Sequence, residues 1–268
     1  MFKRSFAPAL VMFAFFAACS VLEPPAGTAV PREETEALVS LPASSATPTI
    51  VWFPASPTPS LQVYATHTAT PEMRPGVGQT TLHDSFTDEE LWDTAASDKG
   101  SAGIDRSRLT LAVQPEVYLF SLRHGLNLDD FYAEITARPN LCRGADDYGV
   151  LIRASRVAYF RFSLTCNGMV QADRISAGTR QSLQAPIPSG DAPRGSPGEV
   201  RIGVWAVGPE MRLFLNGRYQ FTVKNPAPRA GTIGVFVRSA GDTPVTVNFL
   251  DLVIQDVSQS AAAATPLP

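Results

Sequence analysis

Two of the three cysteines stand where paired strands would bring them together. Cys142 precedes YGVLIRA and Cys166 follows VAYFRFSLT. Both stretches alternate apolar and polar residues, as half-buried strands do. A hairpin turning at Ser155–Arg156 pairs Val150 with Phe162 and Ile152 with Phe160. That register gathers apolar side chains on one face and leaves the cysteines within a few residues of each other at the open end. It predicts a Cys142–Cys166 disulfide, worth roughly 3 kcal/mol for a loop of this length in the chain-entropy account. The alternative is two reduced, buried thiols. Zinc is not expected, because two cysteines without nearby histidines supply too few ligands.

Polar residues on the opposite strand faces form the second candidate. In DFYAEITAR (130–138), Phe131, Ala133 and Ile135 share a face and leave Tyr132, Glu134, Thr136 and Arg138 on the other. In the hairpin register Arg153, Tyr159, Arg161 and Ser163 also point away from the apolar side, and Gln171 and Asp173 follow on the next strand. Gathered on one sheet, Tyr132, Glu134, Arg153, Tyr159, Arg161 and Asp173 would make a ligand face suited to sugars. Ring faces would stack on tyrosine, and hydroxyls would pair with arginine and carboxylates. The plainer alternative is a solvated face laced with cross-strand ion pairs.

No catalytic residue is assigned. Glu89, Glu90, Glu116, Glu134, Glu199 and Glu210 include no pair spaced along one strand face as acid and nucleophile. No Gly-x-Ser-x-Gly elbow and no histidine metal motif occurs. Asp146–Asp147 raise the option of calcium, but two carboxylates fall short of its roughly six to eight oxygen ligands, so a turn is expected there. No other cofactor is implied.

The N-terminus reads MFKRSFAPALVMFAFFAAC. Lys3 and Arg4 precede an apolar run from Ala7 to Phe16 that falls short of the roughly 20 residues a membrane-spanning helix needs. Ala17 and Ala18 then lead to Cys19, the order of charge, apolar core and small residues found in export signals. The arrangement resembles the bacterial lipobox, with Phe16 where that motif usually has leucine. The resemblance implies cleavage after residue 18, lipidation of Cys19 and attachment to a membrane outside the cytoplasm. An ordinary signal peptide with an incidental cysteine, or a retained membrane helix, are the alternatives. Residues 19–80 hold ten prolines and no hydrophobic period, which predicts a disordered tether. IVWFP at 50–54 is its one apolar patch, and the tail 258–268 is expected to fray.

From 81 to 257 short β-branched and aromatic segments recur between turn residues such as Asn167–Gly168 and Asn216–Gly217. So many alternating strands require a second sheet to cover their apolar faces. The succession HDSF, DFYAEITAR, DDYGVLIRA, YFRFSLTCNG, VRIGVWAVGPEMRLFLNGRYQFTV, GTIGVFVRS and VTVNFLDLVI resembles the concanavalin A-like lectin/glucanase superfamily. It is nearest to laminin G-like and 3-keto-disaccharide-hydrolase-like domains. The resemblance implies an all-β, two-sheet antiparallel jelly-roll β-sandwich. It also gives Glu134 and Arg153 added weight, since such relatives use acidic and arginine residues on one sheet.

The net charge is −3 and the basic residues are scattered, so nucleic acid is not an expected partner. The expected partners are a membrane, through Cys19, and a carbohydrate or envelope protein. Glycan or protein binding is the leading reading. A glycoside hydrolase of the 3-keto-disaccharide type and a passive envelope or adhesion component are the alternatives.

Overall fold

The computed structural model describes residues 72–258. The readings on Cys19, the apolar segment before it, IVWFP and the frayed tail lie outside the described residues. Within them the chain forms β1 (Val77–Asp84), β2 (Ala95–Ala96), β3 (Gly100–Ile104), β4 (Leu109–Val113), β5 (Tyr118–Leu122), β6 (Phe131–Leu141), β7 (Asp147–Ala154) and β8 (Ala158–Thr165). It continues through β9 (Met169–Ser176), β10 (Thr179–Pro188), β11 (Val200–Val207), β12 (Glu210–Leu215), β13 (Arg218–Lys224), β14 (Thr232–Arg238) and β15 (Val245–Val257). One sheet has nine strands in the order β13-β12-β11-β6-β15-β4-β3-β2, with β1 pairing β15; the other has six, β10-β9-β8-β7-β14-β5. All pairings are antiparallel.

The expected two-sheet sandwich is present, and alternation explains it. Ala133, Ile135 and Ala137 of β6 and Leu109, Leu111 and Val113 of β4 face Val150, Ile152, Phe160, Phe162 and Leu164 of the other sheet, all in one buried core. Phe162 stacks on Phe221 across the gap, centroids 6.2 Å apart and planes 19° from parallel. The β7–β8 register pairs Val150 with Phe162 and Ile152 with Phe160, as the sequence predicts. Gly149 is needed in that pair: a Cβ there would lie 2.0 Å from the Phe162 carbonyl oxygen. Cys142 and Cys166 are bonded, with Cα atoms 5.8 Å apart. Cys142 follows β6 and Cys166 follows β8, so the bridge closes the open end of the β7–β8 hairpin, as expected, and also ties it to the end of β6 in the other sheet.

Three features depart from expectation. The folded chain starts before residue 81, since β1 begins at Val77 and the preceding Met73 packs against Tyr132 and Trp205. β3 (GSAGI) was hidden because its small residues carry no alternation. β10 was hidden because it is an edge strand, exposed along most of its length, with Pro186 and Pro188 at its end.

Replacing both Cys142 and Cys166 by serine should lower the unfolding free energy by roughly 3 kcal/mol in denaturant titrations. A non-reducing peptide map should recover the two cysteines in one linked species. Equal stability of wild type and double variant would refute a structural role for the bridge.

Candidate functional site

The outer side of the six-stranded sheet is built from every second residue of its strands. β5 contributes Tyr118, Phe120 and Leu122; β14 contributes Phe236 and Arg238; β7 contributes Asp147 and Leu151; β8 contributes Tyr159, Arg161 and Ser163; β9 contributes Gln171 and Asp173. Tyr118, Phe120, Tyr159 and Phe236 form an aromatic cluster, with Tyr118–Phe236 centroids 5.6 Å apart and Phe120–Tyr159 centroids 6.1 Å apart. The Tyr118 and Tyr159 hydroxyls share a hydrogen bond at 3.3 Å, and both rings pack in one cluster with buried Leu151 and Phe236.

Arg161 lies against this cluster, its guanidinium carbon 5.9 Å from the Tyr118 ring and 5.6 Å from the Phe236 ring. It donates to Asp173 Oδ2 at 2.7 Å, and Arg180 donates to Asp173 Oδ1 at 2.8 Å. Arg238 grips Asp147 with two bonds, Nε at 2.8 Å and Nη2 at 3.1 Å. Asp147 and Asp173 have no exposed side-chain surface, while Arg180 and Arg238 reach solvent. Burial pushes the Asp147 carboxyl up, although Arg238 and Arg161 pull the other way. Burial works against the Arg161 charge, but the bond to Asp173 and the charges of Asp147 and Asp173 outweigh it and raise its pKa. Burial and the Tyr159 bond raise that of Tyr118.

The sequence-predicted ligand face is split by the fold. Tyr159, Arg161 and Asp173 lie together on the six-stranded sheet. Tyr132 and Glu134 lie on the outer side of the nine-stranded sheet, because β6 belongs to that sheet and turns its Phe131, Ala133 and Ile135 inward. There Tyr132 donates to Glu134 Oε2 at 2.9 Å and Glu134 pairs with Arg201 at 3.3 Å. Burial, with the Glu134 charge beside it, pushes the Tyr132 hydroxyl up to about 12. The segment before β1 covers this patch. Arg74 sits 5.4 Å from both the Tyr132 and Phe214 rings, and Trp205 Nε1 donates to the Pro75 carbonyl at 3.0 Å.

Arg153 leaves the face altogether. The β7–β14 ladder shifts register between Ala154 and Leu151, and Arg153 takes φ 49°, the backbone of a β-bulge. Its buried guanidinium donates to the carbonyls of Asp129 (2.7 Å from Nη2) and Gly208 (2.6 Å from Nη1) and lies 3.6 Å from Asp130. It bolts two loops together and, with no exposed side-chain surface, presents nothing to a ligand on the sheet face. Asp146 and Asp147 are likewise committed: Asp146 accepts from the backbone of Arg143 and Ala240, and Asp147 from Arg238. Asp146 therefore makes a turn, and this pair offers no cradle for calcium.

A hollow of about 550 Å³ adjoins the face at Leu122 and Ala154, lined also by Asp93, His124, Asn127 and Arg156. His124 Nε2 lies 2.8 Å from Asp93 Oδ1 and its Nδ1 lies 3.0 Å from the Glu90 carbonyl. Both ring nitrogens are engaged, so this histidine is not placed to take a proton from a ligand.

With this geometry in hand, known structures are informative. The carbohydrate-binding module CBM66 from Bacillus subtilis is similar over 63% of this chain and 98% of its own, at 13% identity and TM-score 0.52. A Bacillus licheniformis β-glucanase is similar over 68% and 99%, at 10% identity and TM-score 0.50. A Bacillus subtilis protein of unknown function with a galectin-like fold is similar over 69% and 100%, at 12% identity and TM-score 0.50. The fold is the jelly roll shared by lectins and glucanases. No family model and no curated protein matches the chain.

Tyr118, Phe120, Phe236, Arg180 and Arg238 were not found by sequence reasoning. The signal was in VYLFSLR, where apolar residues fall on both faces, as they do in a strand covered on each side.

Replacing Asp173 by alanine strands Arg161 without its partner and should cost roughly 3–5 kcal/mol of stability. Glu134→Ala breaks a partly exposed pair and should cost about 1 kcal/mol or less. Thermal melts of the two variants separate a structural charge from a peripheral one; equal losses would contradict this assignment.

Proposed function

We propose that the chain is a glycan-binding module, exported and held to a membrane by a lipid on Cys19, and that it binds through the outer side of its six-stranded sheet. One observation carries the reading. Half-buried Tyr118 and Phe120 lie on the same face as guanidinium groups fixed in place by buried carboxylates. A sugar ring needs that combination, an aromatic surface for its C–H face and fixed hydrogen-bonding groups for its oxygens. A carbohydrate-binding module and a β-glucanase among the similar structures support it. Binding is favoured over hydrolysis, because both carboxylates on the face are tied to arginines, whereas glycosidic cleavage requires an acid and a base or nucleophile at the substrate.

The export and anchoring part rests on Lys3, Arg4, the apolar run and Ala17–Ala18–Cys19. The disulfide agrees with it, since such bonds persist in oxidising compartments outside the cytoplasm. The anchor itself takes two or three acyl chains to hold firmly.

On a glycan array the purified protein should bind a restricted set of oligosaccharides and release no sugar from them. Phe120→Ala should weaken that binding by about tenfold, or about 1.4 kcal/mol, in protein whose retained fold is checked by a thermal melt. An array without a single binder would refute the reading in favour of a passive envelope component. In cells, Cys19→Ser should shift the protein from the membrane fraction to the soluble one; unchanged fractionation and an unacylated mature end would remove the anchor.

A further inference from the structure

We infer that the glycan is an acidic one, carrying carboxylate or sulfate groups along its length. This rests on the reading of the six-stranded sheet as the binding surface, and it follows from counting what that surface has left to offer. Three guanidiniums, Arg161, Arg180 and Arg238, stand on it against two carboxylates, Asp147 and Asp173. Both carboxylates are spent. Asp173 uses one oxygen on Arg161 and the other on Arg180, and Asp147 uses both on Arg238. Neither has exposed side-chain surface, so neither is free to accept a proton from a sugar hydroxyl.

Donors remain. Arg180 keeps about half of its side chain in solvent and Arg238 about a third, at 49% and 35%. Arg180 makes one hydrogen bond, through Nε, among the described residues; Arg238 bonds Asp147 through Nε and Nη2. Deeper in, Arg161 Nε and Ser163 Oγ, two residues apart on β8, are buried without a partner. A surface whose carboxylates are spent and whose guanidiniums keep free N–H groups favours a ligand rich in acceptors, and a guanidinium prefers a charged oxygen to a neutral hydroxyl. The free arginine ends come from β10 and β14, which lie four strands apart in the sheet, so an oligomer with repeated acidic groups fits better than a single charged sugar.

The test uses matched pairs of oligosaccharides and the full chain, with binding measured by calorimetry. One pair is a uronate-containing oligomer and its carboxyl-reduced form; the other is a sulfated oligomer and its desulfated form. In at least one pair the acidic member should bind about tenfold or more tightly than its neutral counterpart. Raising the salt from about 0.05 M to about 0.5 M should erase most of that advantage. Arg180→Gln, on a half-exposed residue, should narrow the gap between acidic and neutral members, in protein whose retained fold is checked by a thermal melt. Phe120→Ala should weaken both arms alike. The pair that responds identifies uronate or sulfate as the recognised group. Equal binding of acidic and neutral members, unaffected by Arg180→Gln, overturns the inference and leaves glycan binding standing. Failure of every oligosaccharide, with no array binder, takes down the binding reading itself.

Discussion

A strand buried on both sides tolerates no error of register, and β7 is such a strand: all eight of its residues are buried. A slip by one position would send Val150 and Ile152 outward and drive Asp147 and Leu151 into the apolar interior. Three independent devices hold it. Gly149 admits the close approach of β8, the disulfide clasps the rim next to β7, and the bulge at Arg153 ends the regular ladder where two loops must be bolted down. Both the inner core and the outer ionic surface are spaced from this one strand.

The ionic surface is expensive in desolvation and cheap to lose as a whole. Taking Asp147, Asp173 and Arg161 out of water carries a penalty that their mutual attraction only roughly repays. Well-packed apolar residues would serve stability equally well. What the charges give instead is order. Each guanidinium has its plane set by a carboxylate or an aromatic ring, so the side chains of this face are held in fixed orientations. The nine-stranded sheet carries pairs such as Glu134–Arg201 that remain partly in solvent, and there the same chemistry is loosely held.

The architecture was legible because its signal is local. Alternation in β4, β6, β7, β8 and β11 gave their positions, and the apolar partners of one hairpin gave its register. The site was only partly legible because its signal is not. Period two tells which residues of a strand share a face, but not which of two sheets the strand joins. Tyr132 and Glu134 were therefore read onto the same surface as Arg161 and Asp173, although the chain leaves them on opposite outer faces. Arg153 was misplaced for a different reason: one extra residue in the strand turns the parity over, and nothing in LIRAS announces a bulge. Arg180 went unnoticed because β10, polar on both sides, does not look like a strand.

The strap before β1 gives the domain two distinct sides. Arg74, Met73 and Pro75 are fastened to the outer side of the nine-stranded sheet by Tyr132, Phe214, Arg212 and Trp205. From these clamps the chain runs straight into the β1–β15 ladder. The strap and the arginine-bearing surface therefore belong to opposite sheets, and a change in how the strap is held need not disturb β7, β8 or β9.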